Sequence, residues 1–488
     1  MFKRLKECKT CKEIFEIIGT KPFETASFWL LLLWCLLPIY SVFERIYWVI
    51  ATDNKHYRFY SIIFGYQYAM RVLGYISLYI VIFFLLGRIA VYGKSVFKKV
   101  KEEPWHFLLL ATLLWGCVST FLSENRELSF GGDELLGEGL RAYFIYGAVY
   151  VCAFIVISGK RRWTIFNLFN IITCITSVIV IVMDIFPVPD FWHKVFSSEM
   201  AAMFFHFNHT GYYINMGIVC AMGLYLYESK RLKRILYAFS IALQVYGILV
   251  NSTLGAFVGS CCALIMVLIF YIRKHAKLSW KLVTPVVILL GISVMSYCGL
   301  VPTSSNQDMK TNVEMIVQDS QAIVSSSDAA NNAGHGRMTL WKQGLKMIPE
   351  RPIFGYGPEQ LDHAYSVKMW INRPDNEFIQ HAIFMGVPAA VYYILALFWL
   401  LIVQWKRMKK LDRCVLVAAG CVIAYLVSAM FGVSAFYTTP YFYMFLGMAA
   451  GRPKLLSEEN AAENGKKPVE GKAGDKKKEA APKVVASN

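Results

Sequence analysis

Apolar runs about as long as a bilayer is thick recur along most of the chain, and they constrain its fold more than any other feature. The hydrocarbon core of a bilayer is about 30 Å thick, so a helix needs roughly 20 apolar residues to cross it. Hydrophobic residues make up 56% of the 488 residues. The sequence therefore predicts an all-α polytopic membrane protein with about twelve transmembrane helices. These spans are predicted near residues 27–50, 66–92, 105–122, 140–158, 164–186, 211–228, 234–250, 254–272, 281–300, 378–404, 413–431 and 435–450.

The formal charge of +17 is concentrated in the short links between these spans. Lys and Arg cluster after every second span, and such an asymmetry marks the cytoplasmic side of a membrane protein. We therefore predict a multi-pass protein of the cytoplasmic (inner or plasma) membrane with both termini in the cytoplasm, and no nucleic-acid partner is needed to explain the charge. The predicted parts are a cytoplasmic N-terminal segment (1–26), spans one to nine (27–300), an extracytoplasmic catalytic loop (301–377), spans ten to twelve (378–450) and a disordered cytoplasmic tail (451–488).

The stretch from Gly334 to Pro388 carries the densest set of reactive side chains and leads directly into a new span. Arg337, Trp341 and Leu345 are spaced as neighbours on one face of a helix. This spacing predicts a short amphipathic helix lying on the outer leaflet. Several Pro and Gly residues follow and force turns that end the helix.

Cations and proton acceptors lie together in this stretch. Arg337 and Arg373 can neutralise phosphate oxygens through forked hydrogen bonds. Asp375 or His381 can take a proton from a sugar hydroxyl. At a bilayer surface this combination suits the handling of a lipid diphosphate. The other interpretation is an ordinary loop with solvated charges.

Two further outer links contain candidate binding residues. Arg141 lies at the outer end of a span, where a cation can reach an anionic headgroup or simply anchor the helix at the interface. His209 and Tyr212 can hydrogen-bond sugar hydroxyls and stack on sugar rings, or belong to an aromatic belt. His206 and His209 have a spacing compatible with a metal, but no third ligand lies beside them in the sequence. We therefore predict no metal and no cofactor.

The residues of these stretches resemble the O-antigen ligase and O-antigen or capsular polysaccharide polymerase superfamily. The resemblance covers about residues 138 to 390, in matching order. It rests on Gly336-Arg337, Trp341, Pro349, Pro352, Gly355-x-Gly357, Asn376-Glu377-x-x-Gln380 and Gly386-Val387-Pro388, and on Glu138-Gly139-Leu140, Tyr146, Phe207-Asn208-His209, Gly211-Tyr212 and Asn251-Ser252-Thr253-Leu254-Gly255.

The resemblance implies a metal-independent membrane glycosyltransferase. Such an enzyme takes a glycan from undecaprenyl diphosphate on the outer face of the membrane and joins it to a glycan or lipid-linked acceptor. It also implies that Arg337 binds the donor diphosphate. The site residues predicted in this way are Asp375, Arg337 and His381 for catalysis, and Arg141, Trp341, Arg373, Asn376, Glu377, His209 and Tyr212 for substrate binding.

Two departures from the family pattern affect these roles. Asp375 stands where the ligases place His before Asn, so the implied general base is a carboxylate. Thr253-Leu254 stands where many relatives carry Ser-Arg, so a second diphosphate-binding arginine is either Arg141 or absent. Both departures favour a polymerase or a divergent ligase over a typical lipid A ligase.

Other interpretations stay open at this point. Asp375 is alternatively only the N-cap of span ten, in which case the base is His363, Glu377 or His381. The chain is alternatively a glycan transporter or flippase without chemistry, although no internal repeat with paired interrupted helices supports this. A peptidoglycan-type polymerase of lipid-linked disaccharides shares the same general plan.

Overall fold

The structure is a computed structural model of the chain. It describes residues 8–51, 59–96, 103–133, 136–196, 202–204, 206–275, 280–302, 309–325, 331, 333–334, 336–361, 373–407, 409 and 412–451. The predictions of a disordered tail and of His363 as a base fall outside these residues.

α-Helices make up most of the described residues, and none of those residues forms a strand. In chain order the helices are α1 (Cys11–Ile18), α2 (Lys21–Ala51), α3 (Phe59–Tyr92), α4 (Trp105–Leu122), α5 (Arg126–Gly131), α6 (Leu140–Ile155), α7 (Gly159–Ile185), α8 (Asp190–Phe196), α9 (Phe207–Tyr227), α10 (Arg231–Asn251), α11 (Leu254–His275), α12 (Val283–Tyr297), α13 (Met309–Val324), α14 (Arg337–Met347), α15 (Glu377–Arg407), α16 (Arg413–Ala429) and α17 (Thr439–Ala450).

A helix occupies each of the twelve positions predicted for a span. Helix α1 precedes the first of them, and helices α5, α8, α13 and α14 lie between them. Seven helices within the described residues are long and apolar enough to cross a membrane, namely α2, residues 66–92 of α3, α4, α7, α10, α11 and α15. Helices α6, α12 and α16 are apolar but shorter. The prediction of an all-α polytopic membrane protein is confirmed.

Helix α9 lies at the centre of the bundle. It contacts α7, α10, α11 and α16, and its residues from Asn208 to Leu226 are buried. Because protein surrounds this helix, some of its polar residues form hydrogen bonds to neighbouring helices. Asn215, for example, donates hydrogen bonds to the Ala424 carbonyl and to the Ser428 hydroxyl, both at 2.8 Å. The N-terminus of α9 therefore has a fixed position, and this end faces the candidate site.

A kink in α15 fastens the preceding loop to the bundle. Gly386 has φ 84°, a left-handed conformation that favours glycine. Pro388 has no N–H and cannot bond to the Phe384 carbonyl in the helical manner. That carbonyl instead accepts the Gly357 N–H at 2.8 Å, and the Ile383 carbonyl accepts the Tyr356 N–H at 2.9 Å.

The two chain segments touch closely at this kink. The Val387 N–H donates to the Pro352 carbonyl at 2.8 Å, which adds a third bond between them. A Cβ atom on Gly386 would lie 2.1 Å from the Ile353 carbonyl oxygen. The Gly355-x-Gly357 and Gly386-Val387-Pro388 motifs thus dock the loop onto α15.

Helix α14 lies where the sequence predicts an amphipathic helix, but its buried face differs from the predicted one. Leu340, Gly344 and Met347 are buried, whereas Leu345 is exposed. Arg337 and Trp341 lie beside the buried face and are only partly exposed. Arg337, Trp341 and Leu345 have the predicted spacing on this helix, and α14 packs on protein through the adjacent stripe of Leu340, Gly344 and Met347.

Candidate active site

Arg337 and Asp375, which are 38 residues apart in the sequence, form an ion pair. Arg337 Nε lies 3.5 Å from Asp375 Oδ2, and the two side chains are 21% and 17% exposed. Arg337 Nη1 also donates to the Gly334 carbonyl at 3.3 Å. Arg337 Nε has no hydrogen-bond partner among the described residues. The pair is thus held by one long contact, and both side chains stay partly exposed.

The backbone at Asp375 has φ 47°, a left-handed conformation that is uncommon for residues other than glycine. The Trp341 indole Nε1 donates to the Asp375 carbonyl at 3.3 Å. Backbone strain of this kind is often associated with functional sites. The contact from Trp341 joins α14 to the loop end that carries the carboxylate.

The N-cap of α15 is Asn376 and not Asp375. Asn376 Oδ1 accepts the N–H groups of Phe378 at 3.0 Å and Ile379 at 3.1 Å. Its Nδ2 donates to the Met430 carbonyl at 3.1 Å. Asp375 therefore does not cap the helix. Its carboxylate pairs with Arg337 instead.

Burial raises the pKa of Asp375 above its ordinary value, although the Arg337 guanidinium lowers it in part. A carboxylate with a raised pKa is a stronger proton acceptor than an exposed aspartate. Burial and the same guanidinium lower the pKa of His206 to about 4, so this imidazole is neutral at pH 7. The charge of Arg337 thus acts to lower the pKa of two potential proton acceptors, Asp375 and His206.

Arg373 belongs to a second, fully buried group of charges. It pairs with Glu359, and both side chains are less than 5% exposed. Its Nη2 also lies 4.0 Å from Asp133 Oδ2. Burial opposes the charge of Arg373, but the Glu359 and Asp133 carboxylates raise its pKa above the usual value. Arg373 is therefore a structural cation that fixes the chain just before Asp375.

Glu138 extends this buried group towards α6 and α17. Its N–H donates to Glu359 Oε1 at 2.6 Å, and its side chain accepts the Tyr146 hydroxyl and, at 3.1 Å, the Ser434 hydroxyl. Burial raises the pKa of Glu138 to about 8, although hydrogen bonding from Tyr146 and the charge of Arg373 lower it in part. Burial therefore favours the protonated form of this carboxyl.

The segment 430–438 between α16 and α17 connects most of these residues, and sequence reasoning missed it. The Met430 carbonyl accepts from Asn376, and the Phe431 ring lies 6.3 Å from that of Trp341. Ser434 accepts from Gln380 Nε2 at 3.0 Å. The prediction started span twelve at residue 435, but α17 starts at Thr439. In the sequence, the hydroxyls of Ser434 and Thr438 are the residues that could have indicated polar contacts. Their neighbours are mostly apolar and favour a span instead.

His209 and Tyr212 line the same segment from α9. His209 Nδ1 lies 3.2 Å from the Thr438 hydroxyl, and the His209 ring lies 5.4 Å from that of Tyr437. The Tyr212 hydroxyl is buried without a hydrogen-bond partner among the described residues. It points at Gly432, where an added Cβ would lie 1.6 Å from it. Both residues are therefore close to the residues that hold Asn376 and Trp341.

Glu377 and His381 lie in the first turns of α15 and are buried. The Tyr393 hydroxyl donates to Glu377 Oε1 at 2.8 Å. His381 Nδ1 lies 2.9 Å from the Glu377 carbonyl, and its ring stacks on that of Tyr393 at 4.5 Å. His381 Nε2 has no hydrogen-bond partner in the described part of the chain.

Arg141 is engaged elsewhere. Its Nη2 donates to the Gly131 carbonyl at 2.6 Å, so this contact holds the end of α5 against α6. Thr253, the first residue of the Thr253-Leu254 pair, donates to the Phe207 carbonyl at 3.2 Å at the start of α9. No group of three or more His, Cys, Asp or Glu able to hold a metal ion occurs among the residues that the structure describes.

Comparison with known proteins gives two matches. Residues 237–394 match the family model described as O-antigen ligase, and this segment includes both Arg337 and Asp375. A curated relative, the "General O-oligosaccharyltransferase" of Acinetobacter baylyi (strain ATCC 33305 / BD413 / ADP1), is 24% identical over 240 residues. The match covers 46% of this chain and 40% of the relative, so it spans about two fifths of that protein's length. The match thus supports, over residues 237–394, the resemblance seen in the sequence.

Proposed function

We propose that this chain is a membrane glycosyltransferase that transfers or polymerises glycans carried on undecaprenyl diphosphate. The acceptor is a glycan or a lipid-linked glycan, and the reaction takes place on the outer face of the cytoplasmic membrane with both termini inside. The family match and the name of the relative support glycan transfer over transport without chemistry. The observation that carries the proposal is the partly exposed ion pair between Arg337 and Asp375.

Arg337 is the proposed ligand of the donor diphosphate. Its Nε hydrogen has no hydrogen-bond partner in the described residues, and its guanidinium is partly exposed. A diphosphate offers oxygens at the spacing that the planar guanidinium fork binds best. When the diphosphate binds, it competes with Asp375 for the cation and so frees the carboxylate.

Asp375 is the proposed general base. The acceptor hydroxyl oxygen forms a bond to the anomeric carbon of the donor as the bond between that carbon and the diphosphate oxygen breaks. The hydroxyl proton passes to the Asp375 carboxylate. The leaving group is undecaprenyl diphosphate, and Arg337 stabilises the negative charge that develops on it. Direct displacement of this kind inverts the anomeric configuration.

The surrounding residues have positioning roles in this proposal. Asn376 uses its side chain for the cap and the Met430 carbonyl, and Arg373 is occupied by Glu359. Both therefore place Asp375 without needing to touch substrate. Trp341 is only partly exposed and contacts the Asp375 carbonyl, so its ring is available to stack on a sugar beside the base.

The test is glycan transfer in proteoliposomes that contain an undecaprenyl-diphosphate-linked oligosaccharide. We expect Asp375→Asn to lower the rate by about a hundredfold or more, because it removes the base. Asp375→His should retain part of the activity. The matched control is Glu124→Gln, which removes an exposed carboxylate paired with Arg351 outside the site and should leave the rate unchanged.

The dependence on pH gives a second readout. The wild-type rate should fall as the pH drops through the raised pKa of Asp375, and Asp375→His should change this profile. A fully active Asp375→Asn variant would exclude Asp375 as the base. Transfer from a lipid-linked disaccharide of the peptidoglycan type, with none from the oligosaccharide donor, would instead assign the chain to that class.

A further inference from the structure

Helix α13, directly after the ninth predicted span, has three distinct faces. Asn312, Met315 and Asp319 are buried or partly buried and turn towards the protein. A second face is exposed and polar. It carries Lys310, Glu314, Gln318, Gln321 and Ser325. The third face is exposed and apolar. It carries Val313, Ile316, Val317, Ile323 and Val324, with Ser320 among them.

This division follows from the spacing of the residues. Positions 313, 316, 317, 320 and 324 recur at three or four residues, so they form one stripe along the helix. The polar positions 310, 314, 318 and 321 form a parallel stripe beside it. One side of α13 packs on protein, and its exposed surface is divided into an apolar stripe and a polar stripe. Such an amphipathic helix is suited to a boundary between water and lipid.

Helix α13 contacts a second helix whose exposed surface is apolar. Helix α12 contacts α13, and its exposed apolar residues Val287, Leu290 and Val294 lead to Tyr297 and Leu300 at its end. The Tyr246 hydroxyl donates to the Pro302 carbonyl at 2.7 Å, which ties this end of α12 to α10. The exposed apolar residues of α12 and α13 thus belong to two helices in contact.

The inner face of α13 is joined to the turn that carries Arg337. Asp319 Oδ2 accepts the Gly334 N–H at 2.8 Å, and the Gly334 carbonyl in turn accepts from Arg337. Helix α13 thus contacts α12 and is also hydrogen-bonded to the turn that carries Arg337.

From these contacts we propose that α13 lies in the plane of the membrane, with Val313, Ile316 and Val317 inserted among the acyl chains of the leaflet on the loop side. The partner of this surface is the phospholipid leaflet. Lys310, at the edge of the apolar stripe, extends to the headgroup phosphates. Insertion fixes the depth of α13, and through Asp319 it fixes the height of the Arg337 turn above the headgroups.

Site-specific photo-crosslinking tests this placement in proteoliposomes made with an alkyne-tagged phospholipid. The photoreactive residue p-benzoylphenylalanine replaces Ile316 or Val317 in the test chains and Glu314 or Gln318 in the matched controls on the same helix. Val287 of α12 is the positive control. We expect the yield of lipid adduct at 316 and 317 to approach that at 287 and to exceed that at 314 and 318 by about fivefold.

Equal lipid labelling on both faces of α13 would overturn the proposal. Adducts at 316 and 317 with a second copy of the chain, or with another polypeptide, would also overturn it and assign the stripe to a protein interface. Size-exclusion elution identifies chains that have folded. For chains that aggregate, Ile316→Trp and Glu314→Trp provide the same comparison through the added quenching of fluorescence by brominated lipid, which only Ile316→Trp should show.

Discussion

Two arginine–carboxylate pairs each have one member in the short stretch before α15, Arg373 in one pair and Asp375 in the other, and they differ in almost every physical respect. Arg373 and Glu359 are fully buried and make further contacts with Asp133 and Glu138. Arg337 and Asp375 are partly exposed and meet through one 3.5 Å contact. A densely bonded pair is suited to hold a backbone in place, whereas a loosely bonded pair can exchange its partner for a ligand. The first pair therefore supports the position of the second.

Arg373→Leu should have the largest effect, on folding. Removing one partner from a buried ion pair leaves the Glu359 carboxylate without its counter-ion, which typically costs about 3–5 kcal/mol. We expect little folded protein in fluorescence-detected size exclusion. The double change Arg373→Leu with Glu359→Leu should recover much of it, because an apolar pair needs no charge compensation. Normal amounts of the single variant would contradict the structural role of this pair.

Arg337→Lys should leave the amount of folded protein unchanged and lower the rate of glycan transfer by about a hundredfold. Lysine keeps the charge but cannot form the fork that binds two phosphate oxygens. Transfer assays on Arg337→Lys and Arg337→Ala should therefore give similar losses. Arg351→Lys, which alters an exposed arginine paired with Glu124, is the matched control. A fully active Arg337→Lys chain would reduce Arg337 to a general positive charge.

Glu138→Gln should change how stability depends on pH. The folded-state pKa of Glu138 is about 8, above its ordinary value of 4.5, so the folded protein binds this proton more tightly than the unfolded chain. Its contribution to stability is complete below about 4.5 and is lost as the pH rises through about 8. Melting temperatures at pH 5, 6.5 and 8.5 should therefore fall more steeply for the wild type than for Glu138→Gln. Parallel curves would show that the carboxyl is ionised throughout.

Asn376→Ala should have the smallest effect, a loss of about 1 kcal/mol in stability from the missing N-cap of α15. Thermal melting in detergent measures this loss. Asp375→Asn should melt like the wild type, because Asp375 does not cap the helix. If Asp375→Asn destabilises the protein and Asn376→Ala does not, the assignment of the cap is reversed.

The positions of the helices could be predicted from the sequence because the length of an apolar run decides whether a helix crosses a bilayer. The start of α17 could not be predicted. Residues 435–438 are apolar enough to read as the start of a span, yet they form an irregular, buried segment before α17. Hydropathy does not distinguish a segment buried in protein from one exposed to lipid.

The candidate site was predictable in its reactive residues but not in their partners. Arg337 and Asp375 stand out by charge near a bilayer surface, whereas their contact depends on how α14 packs. Asp375 and Asn376 are adjacent and are both good N-caps, so only geometry separates the cap from the free carboxylate. Glu359 gave no signal, because a single loop glutamate looks the same in sequence whether it is exposed or buried against an arginine.

The docking of residues 352–357 onto the kink of α15 determines which part of the chain can be exchanged between relatives as a unit. Three backbone hydrogen bonds cross between residues 352–357 and 383–387, at the kink where Gly386 is left-handed. A transplanted loop that stops before residue 383 would lose these three hydrogen bonds. A chimera designed to change glycan specificity should therefore carry residues 331–388 together, including the first turns of α15 down to Pro388.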